Sequence, residues 1–437
     1  MTIYPGIKSG GGNVQMAVES ALGTPGTYYD FRVCEDSDPA FPTDTREIKP
    51  VSSKGFWDPA QRVPQLSYKK ALEGAGTIST YITGSSSAAT PAQPQCVSLF
   101  HSMGCGIVNG SNTYDTVGAY TSTVAWAGTI TGAAIVTGVA GMIEGTGSNG
   151  AYWPFLCLSN SGASAYNQVP TMAIANAADG DSKIHTMWTV SPPKGIQVDT
   201  DKTLAFRVAD YWATGALTGS AFVYTGCAVS EIKPIVFESG SPLKMESTLH
   251  ISDRSFDQTG FDLTLAAYTD SVNVPIVDGA SRFLMGFCDT STMPIAATRT
   301  TGFRKATWNT GIKTIPVAET GATTAVNGRG AYIGVYTGST IELVLDVDKE
   351  YWTHLEASGS QTAKYLELVQ PNTSKSNTAF GLWMPACYMV GKPVADLWSD
   401  KEMTVTVTLE PTSAEITKTS KLVQGNQPWY FAVSPVY

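Results

Sequence analysis

One phrase is written twice in this chain, and it limits the fold more than any other feature. "YTGCAVSEIKPIVFESGSPLKMESTLHI" occupies residues 224–251, and "MPACYMVGKPVADLWSDKEMTVTVTLEP" occupies residues 384–411. Each reads as strand, Lys-Pro step, strand: alternating apolar and polar residues flank a proline that removes a backbone donor. Matching Lys233-Pro234 to Lys392-Pro393 brings Cys227 near Cys387 and Met245 near Met403, within one-residue gaps. The spacing predicts superimposable strand pairs at 226–251 and 385–410, with Pro234 and Pro393 at equivalent bends.

What precedes each phrase is also parallel. "LSYKKALEGAGTISTYI" alternates like a strand pair turning at Gly74 to Gly76. "PQCVSLFHSMGCG" then opens a helix near Pro94 that Gly104 and Gly106 stop, with Val97, Phe100 and Leu99 or Met103 on one face. In the second half, "GSTIELVLDVDKEYWTHLEASG" begins as a strand with Ile341, Leu343 and Leu345 on one face. It continues as a short helix, capped by Asp348 and ending at Gly359. Strand, helix and hairpin are thus expected twice.

The expected class is an all-β-dominated chain, a β-sandwich or barrel with short flanking helices, duplicated internally. With 437 residues, only 15% of them charged, and 42 glycines, the chain suits short strands and turns in two or three domains of ~150 residues. The expected division is an N-terminal segment and extended arm at 1–65, a first β-domain at 66–255, a second at 256–415 and a C-terminal segment at 416–437. The first domain carries a Gly/Ser/Thr-rich insertion at about 107–201.

The arm is marked by Pro39, Pro42, Pro50, Pro59 and Pro64, which exclude a helix or a central strand from residues 35–64. Phe41, Phe56 and Trp57 lie among them and would be wasted in a solvated tail, so they are candidate subunit-interface anchors. A second candidate interface is the closing strand of the second phrase. Val405, Val407 and Leu409 lie on one of its faces, and Thr404, Thr406 and Thr408 on the other.

A net charge of −9 and a pI near 5.0 argue against a surface that grips nucleic-acid phosphates. Seven dispersed cysteines without a C-x-x-C pair argue against a disulfide framework. The start of the chain lacks the basic-then-apolar pattern of a signal peptide, so folding in a reducing cytosol is expected. The uncharged stretch "WAGTITGAAIVTGVAGMI", residues 126–143, is long enough for a membrane helix, but four glycines and its T-I-T and I-V-T triplets favour strands bounded by turns.

Catalytic constellations are thin. None of the four histidines sits in an H-E-x-x-H pattern, and neither a nucleophile elbow nor a phosphate loop is written. His101 and Cys105 have a spacing that suits one metal, yet two ligands do not close a zinc site. The carboxylates of Glu35, Asp36 and Asp38, or of Asp346 and Asp348, suit strand edges and turns more than glycosidase chemistry. No catalytic residue, metal or cofactor is expected, and the chain is read as a non-enzyme.

Taken in order, "ESALGTPGTYYDFRV", the arm, "GTISTYI", the short helix ending in "SMGCG", the first hairpin phrase and the final "LWMPACYMVGKPVADLWSDKEMTVTVTLEP" resemble a tail tube (major tail) protein of a long-tailed bacteriophage. The likeness is one of layout across most of the chain. It implies a β-sandwich with a flanking helix whose strands join neighbouring subunits around an inner barrel. The rings, six subunits or three duplicated ones, stack into a virion tail tube assembled in the host cytoplasm. It also implies tail tip and terminator proteins as partners, and DNA passing through the lumen without specific binding. The insertion departs from the compact family pattern. Two other classes share the composition: another virion protein such as a capsid decoration protein, and a carbohydrate-binding or hydrolytic β-protein.

Overall fold

The computed structural model describes residues 14–34, 39–42, 46–47, 68–69, 72–85, 93–121, 127–131, 138–144, 152–156, 159–160, 167–170, 182–195, 197–198, 202–212, 218–238, 240–262, 276–277, 284–289, 302–318, 329–347, 363–370, 379–396, 403–413, 415–418, 421–424 and 427–434. Strands hold 69% of the interpretable residues and a single helix is present among them, so the fold is all-β. Its three main sheets have eleven, seven and ten strands.

The eleven-stranded sheet is built around the long strand Thr218–Ile232. Its first part pairs with Leu204–Trp212 on one side and Asp253–Asp262 on the other, and its last part pairs with Lys244–Ile251. Val14–Ala21 extends the sheet beyond Leu204–Trp212, and Leu72–Tyr81 extends it beyond Lys244–Ile251. The ten-stranded sheet is built around Phe380–Asp396 in the same way. Lys364–Gln370 and Tyr430–Val433 flank its first part, Thr404–Pro411 pairs with its last, Leu284–Asp289 lies beyond Lys364–Gln370, and Thr340–Asp346 lies beyond Thr404–Pro411.

These are two copies of one antiparallel pairing scheme, in the same chain order. Registers agree at a shift of 160 positions (204 to 364, 227 to 387): Leu204 faces Cys227 as Lys364 faces Cys387, and the same bulge follows in both. Val229 faces Leu249 as Met389 faces Leu409. Strands 244–251 and 404–411 also bury alternate residues in one phase, because a two-residue period fixes which face meets the core. Cys227 and Cys387 are therefore equivalent, whereas Met245 corresponds to Val405 and not to Met403.

The Lys-Pro steps differ. At Pro234 the first chain segment leaves its sheet, and Ile235–Glu238 joins Phe303–Asn309 in the other one. In the second copy the strand continues through Lys392-Pro393 across a register shift and stays paired with Thr404–Pro411. The two prolines are not at equivalent bends. A proline lacks a donor but does not by itself decide whether the chain leaves a sheet.

Two other expectations are corrected, and the strands expected at 126–143 are present. Gly74 to Gly76 make no turn: one strand, Leu72–Tyr81, runs through them, and Gly76 is small because a Cβ there would come within 3.2 Å of Ile251 Cδ1. The boundary placed between 255 and 256 falls inside the strand Asp253–Asp262. The uncharged stretch 126–143 supplies Ala127–Thr131 and Ala140–Glu144 to the seven-stranded sheet, which the insertion forms from strands between Ser111 and Thr186. No helix among the described residues is long and apolar enough to cross a membrane.

Both large sheets share one hydrophobic core. A single cluster runs from Val14, Phe206 and Leu249 of the first to Trp308, Val407 and Phe431 of the second. The helix Gln95–His101 is embedded in it, starting at Pro94 and followed by Gly104 with φ +78°. Seven residues are too few for a helix stable in water, and burial holds this one: residues 95–100 are all buried, so its whole circumference, not one face alone, meets the core, and His101 at its end is partly exposed. Its polar groups are matched locally. Gln95 Nε2 donates to Arg32 O at 3.0 Å, Ser102 Oγ donates to Leu99 O at 2.7 Å, and Val229 N donates to Ser102 Oγ at 3.1 Å. Phe100 meets Trp429 and Phe431, with ring centroids 6.4 and 6.0 Å away. The expected second helix near 348–359 lies outside the described residues.

Candidate assembly surface

The first candidate interface is divided by the structure. Phe41 folds onto its own chain: its ring lies 4.8 Å from Tyr224 and 5.6 Å from Phe206, Ala40 bridges Thr77, and Tyr224 Oη donates to Pro42 O at 2.9 Å. Burial of Tyr224 pushes its phenol up to about 12, so it is a neutral donor at every ordinary pH. Phe56 and Trp57 lie outside the described residues. The arm returns through a strand pair, Arg46–Glu47 with Tyr68–Lys69, before entering Leu72–Tyr81.

The second candidate interface is divided by face. Val405, Val407 and Leu409 are buried in the chain's own core, which accounts for their apolar character without a neighbour. Thr404, Thr406 and Thr408 are half-buried on the opposite face. That strand is paired along both edges, with Thr340–Asp346 and Phe380–Asp396, so only its outer face is open.

Beside those threonines the outer face turns apolar. Tyr388, Val390 and Val394, cross-strand partners of Glu410, Thr408 and Thr406, are exposed, Val394 to 69%. Tyr388, Glu410, Pro411 and Thr412 form one wall of a groove that Tyr336 and Lys194 help to close. Burial holds the Tyr336 phenol above its ordinary range; Ser339 N donates to it at 2.9 Å, which opposes that shift, and the nearby Glu410 charge adds to it. The groove thus combines a neutral phenol, the Glu410 carboxylate and the Lys194 side chain, and the exposed Val390 and Val394 continue the strand of Tyr388 beyond its lining.

The same positions in the first copy are covered. Shifted back by 160 positions, the wall 388, 410, 411 and 412 becomes Ala228, His250, Ile251 and Ser252. A hairpin from the second half, Ile312–Ala318 with Arg329–Tyr336, lies against them. His250 Nε2 meets Thr314 O at 2.9 Å and the His250 ring stacks on Tyr332 at 5.9 Å; Tyr332 Oη meets Ser252 Oγ at 2.9 Å; and Glu231 pairs with Lys313. Ala228, Tyr332, Val198 and Leu22 form a small core of their own.

No metal centre is assembled among the described residues, where no three His, Cys, Asp or Glu side chains come together. His101 Nδ1 lies 3.3 Å from Gln93 Nε2, and burial raises the Cys105 thiol far above its ordinary range. Asp346 is engaged by Arg304 Nε at 2.6 Å. Sequence reasoning missed the groove, although "YMV" at 388–390 carries a signal: with a two-residue period, turning Met389 to the core leaves Tyr388 and Val390 on the outer face. No known protein family and no curated protein matches this chain in sequence.

Proposed function

We propose that this chain is a structural virion subunit that polymerises into the tail tube of a long-tailed bacteriophage, a conduit for genome delivery. The observation that carries the reading is the internal repeat: two copies of one pairing scheme, in register at a shift of 160 positions from residue 204 onward, that share one core. In that reading three chains contribute six quasi-equivalent units to a ring, and rings stack into a tube. The layout likeness to major tail proteins supports the assignment, as does an outer sheet face bearing Thr404, Thr406 and Thr408 beside exposed valines. An interface that joins copies front to back closes on itself when the rotation per unit divides the circle, and a ring leaves no sheet edge exposed.

The partners are then further copies of the chain, tail tip and terminator proteins, and DNA in transit. The net charge of −9 suits a lumen that does not trap DNA, since binding by counterion release needs clustered cations. Negative-stain microscopy of the purified chain tests the proposal. Rings or tubes of uniform diameter are the expected result; particles that stay monomeric at all concentrations and salts, or that bind only to preformed shells, overturn it.

A further inference from the structure

The two copies cover their faces unequally, and the inequality points to an occupant. In the second copy the hairpin Ile312–Ala318 with Arg329–Tyr336 follows Phe303–Asn309 and precedes Thr340–Asp346. Its counterpart in the first copy is fixed by pairing. Ala40 bridges Thr77 of Leu72–Tyr81 as Thr307 pairs with Glu342 of Thr340–Asp346, so in chain order the arm, which holds the strand pair Arg46–Glu47 and Tyr68–Lys69, is the counterpart of the hairpin. The hairpin of the second copy covers the face at Ala228 and His250 of the first. The equivalent face at Tyr388 and Glu410 is the open groove.

We propose that this groove receives the 43–71 segment of a second copy of the chain, an inference that rests on the self-assembly reading and names its contact. Within one molecule the first unit is covered by the second; between molecules the second unit is covered by the next first unit. Residues 43–71 hold six Lys and Arg and three Asp and Glu, and the groove offers one partner of each sign, Glu410 to a cation of the segment and Lys194 to one of its carboxylates. Chemistry agrees as well. The segment carries Phe56 and Trp57, suited to Tyr388 and Val390, as Tyr332 suits His250 within the chain.

The test uses two full-length-fold variants and the wild-type chain. One variant replaces residues 43–71 by a short Gly-Ser linker; the other is Val390→Glu, at an exposed position that leaves the core untouched. Analytical ultracentrifugation should show wild type forming higher oligomers and each variant alone weakened at least tenfold in self-association. Mixed, the two variants should form a one-to-one dimer, since one retains the groove and the other the arm. In a mixture of isotopically light and heavy wild-type chains, a zero-length carbodiimide should join Glu410 to Lys49, Lys54, Lys69 or Lys70 of the other isotopic form. Cross-links confined to single chains, or variants that fold and associate like wild type, overturn the proposal. Normal tubes from Val390→Glu would refute this contact and leave the tube reading standing. The one-to-one dimer from variants of a wild-type chain that never forms rings or tubes would do the reverse.

Discussion

Val407→Ala tests whether the two large sheets unfold as one body. Val407 is 1% exposed and faces Leu343 across the ladder. Removing two methyl groups loses about 1.6 kcal/mol of transfer free energy at ~0.8 kcal/mol per group. A residual void of about 40 Å³ adds roughly 1 kcal/mol. The expected cost is therefore about 2.5 kcal/mol. With an unfolding entropy of about 2.1 cal/mol/K per residue, 437 residues lose ~0.9 kcal/mol per degree near the midpoint, so the melting temperature should fall by ~3 °C. Differential scanning calorimetry is the assay, with Thr406→Ala on the half-buried outer face as a control expected within about 0.5 kcal/mol of wild type. Because one hydrophobic cluster spans both sheets, the endotherm that carries them should move as a whole. Two endotherms, only one shifted and by roughly twice as much, would refute the shared core.

Two more outcomes are accessible in solution. Glu19 is buried and accepts hydrogen bonds from Thr203 Oγ1 at 2.6 Å, Gly226 N at 2.8 Å and Gly23 N at 2.9 Å; burial, the largest cause, outweighs them and raises its pKa from 4.5. The folded state then binds the proton more tightly than the unfolded one, so this contribution is complete below the ordinary carboxyl pKa and is lost as pH rises through the folded value. The melting temperature of Glu19→Gln minus that of wild type should accordingly increase from pH 4 upward, and a difference independent of pH would exclude a titrating Glu19. Phe41→Ala should lower the urea midpoint by an amount equivalent to about 2–3 kcal/mol at unchanged slope, less than for a fully buried phenylalanine because Phe41 is only partly covered. An unaltered midpoint would mean that the segment near Ala40 does not dock on its own chain.

Strand alternation determined much of this protein in the sequence itself. Ile341, Leu343 and Leu345, and Val405, Val407 and Leu409, are written at a period of two, and the buried face of a pleated strand has no other option. The repeat was also legible, through the matched cysteines and the closing strands, because equivalent pairings impose equivalent patterns on residues far apart in sequence. The prolines and glycines told less. Gly76 reads as a turn and is a contact with Ile251, and Pro234 and Pro393 read alike although only the first takes the chain into the other sheet. Local chemistry limits what a backbone segment can do, but which permitted path it takes depends on partners distant in the chain. Tertiary structure alone decided that the two units share one core, that residues 95–100 of the helix are buried all round, and that Ala228 and His250 are covered while Tyr388 and Glu410 are not. The two faces are nearly the same strand pattern, and the difference lies in which neighbour is attached by the same chain.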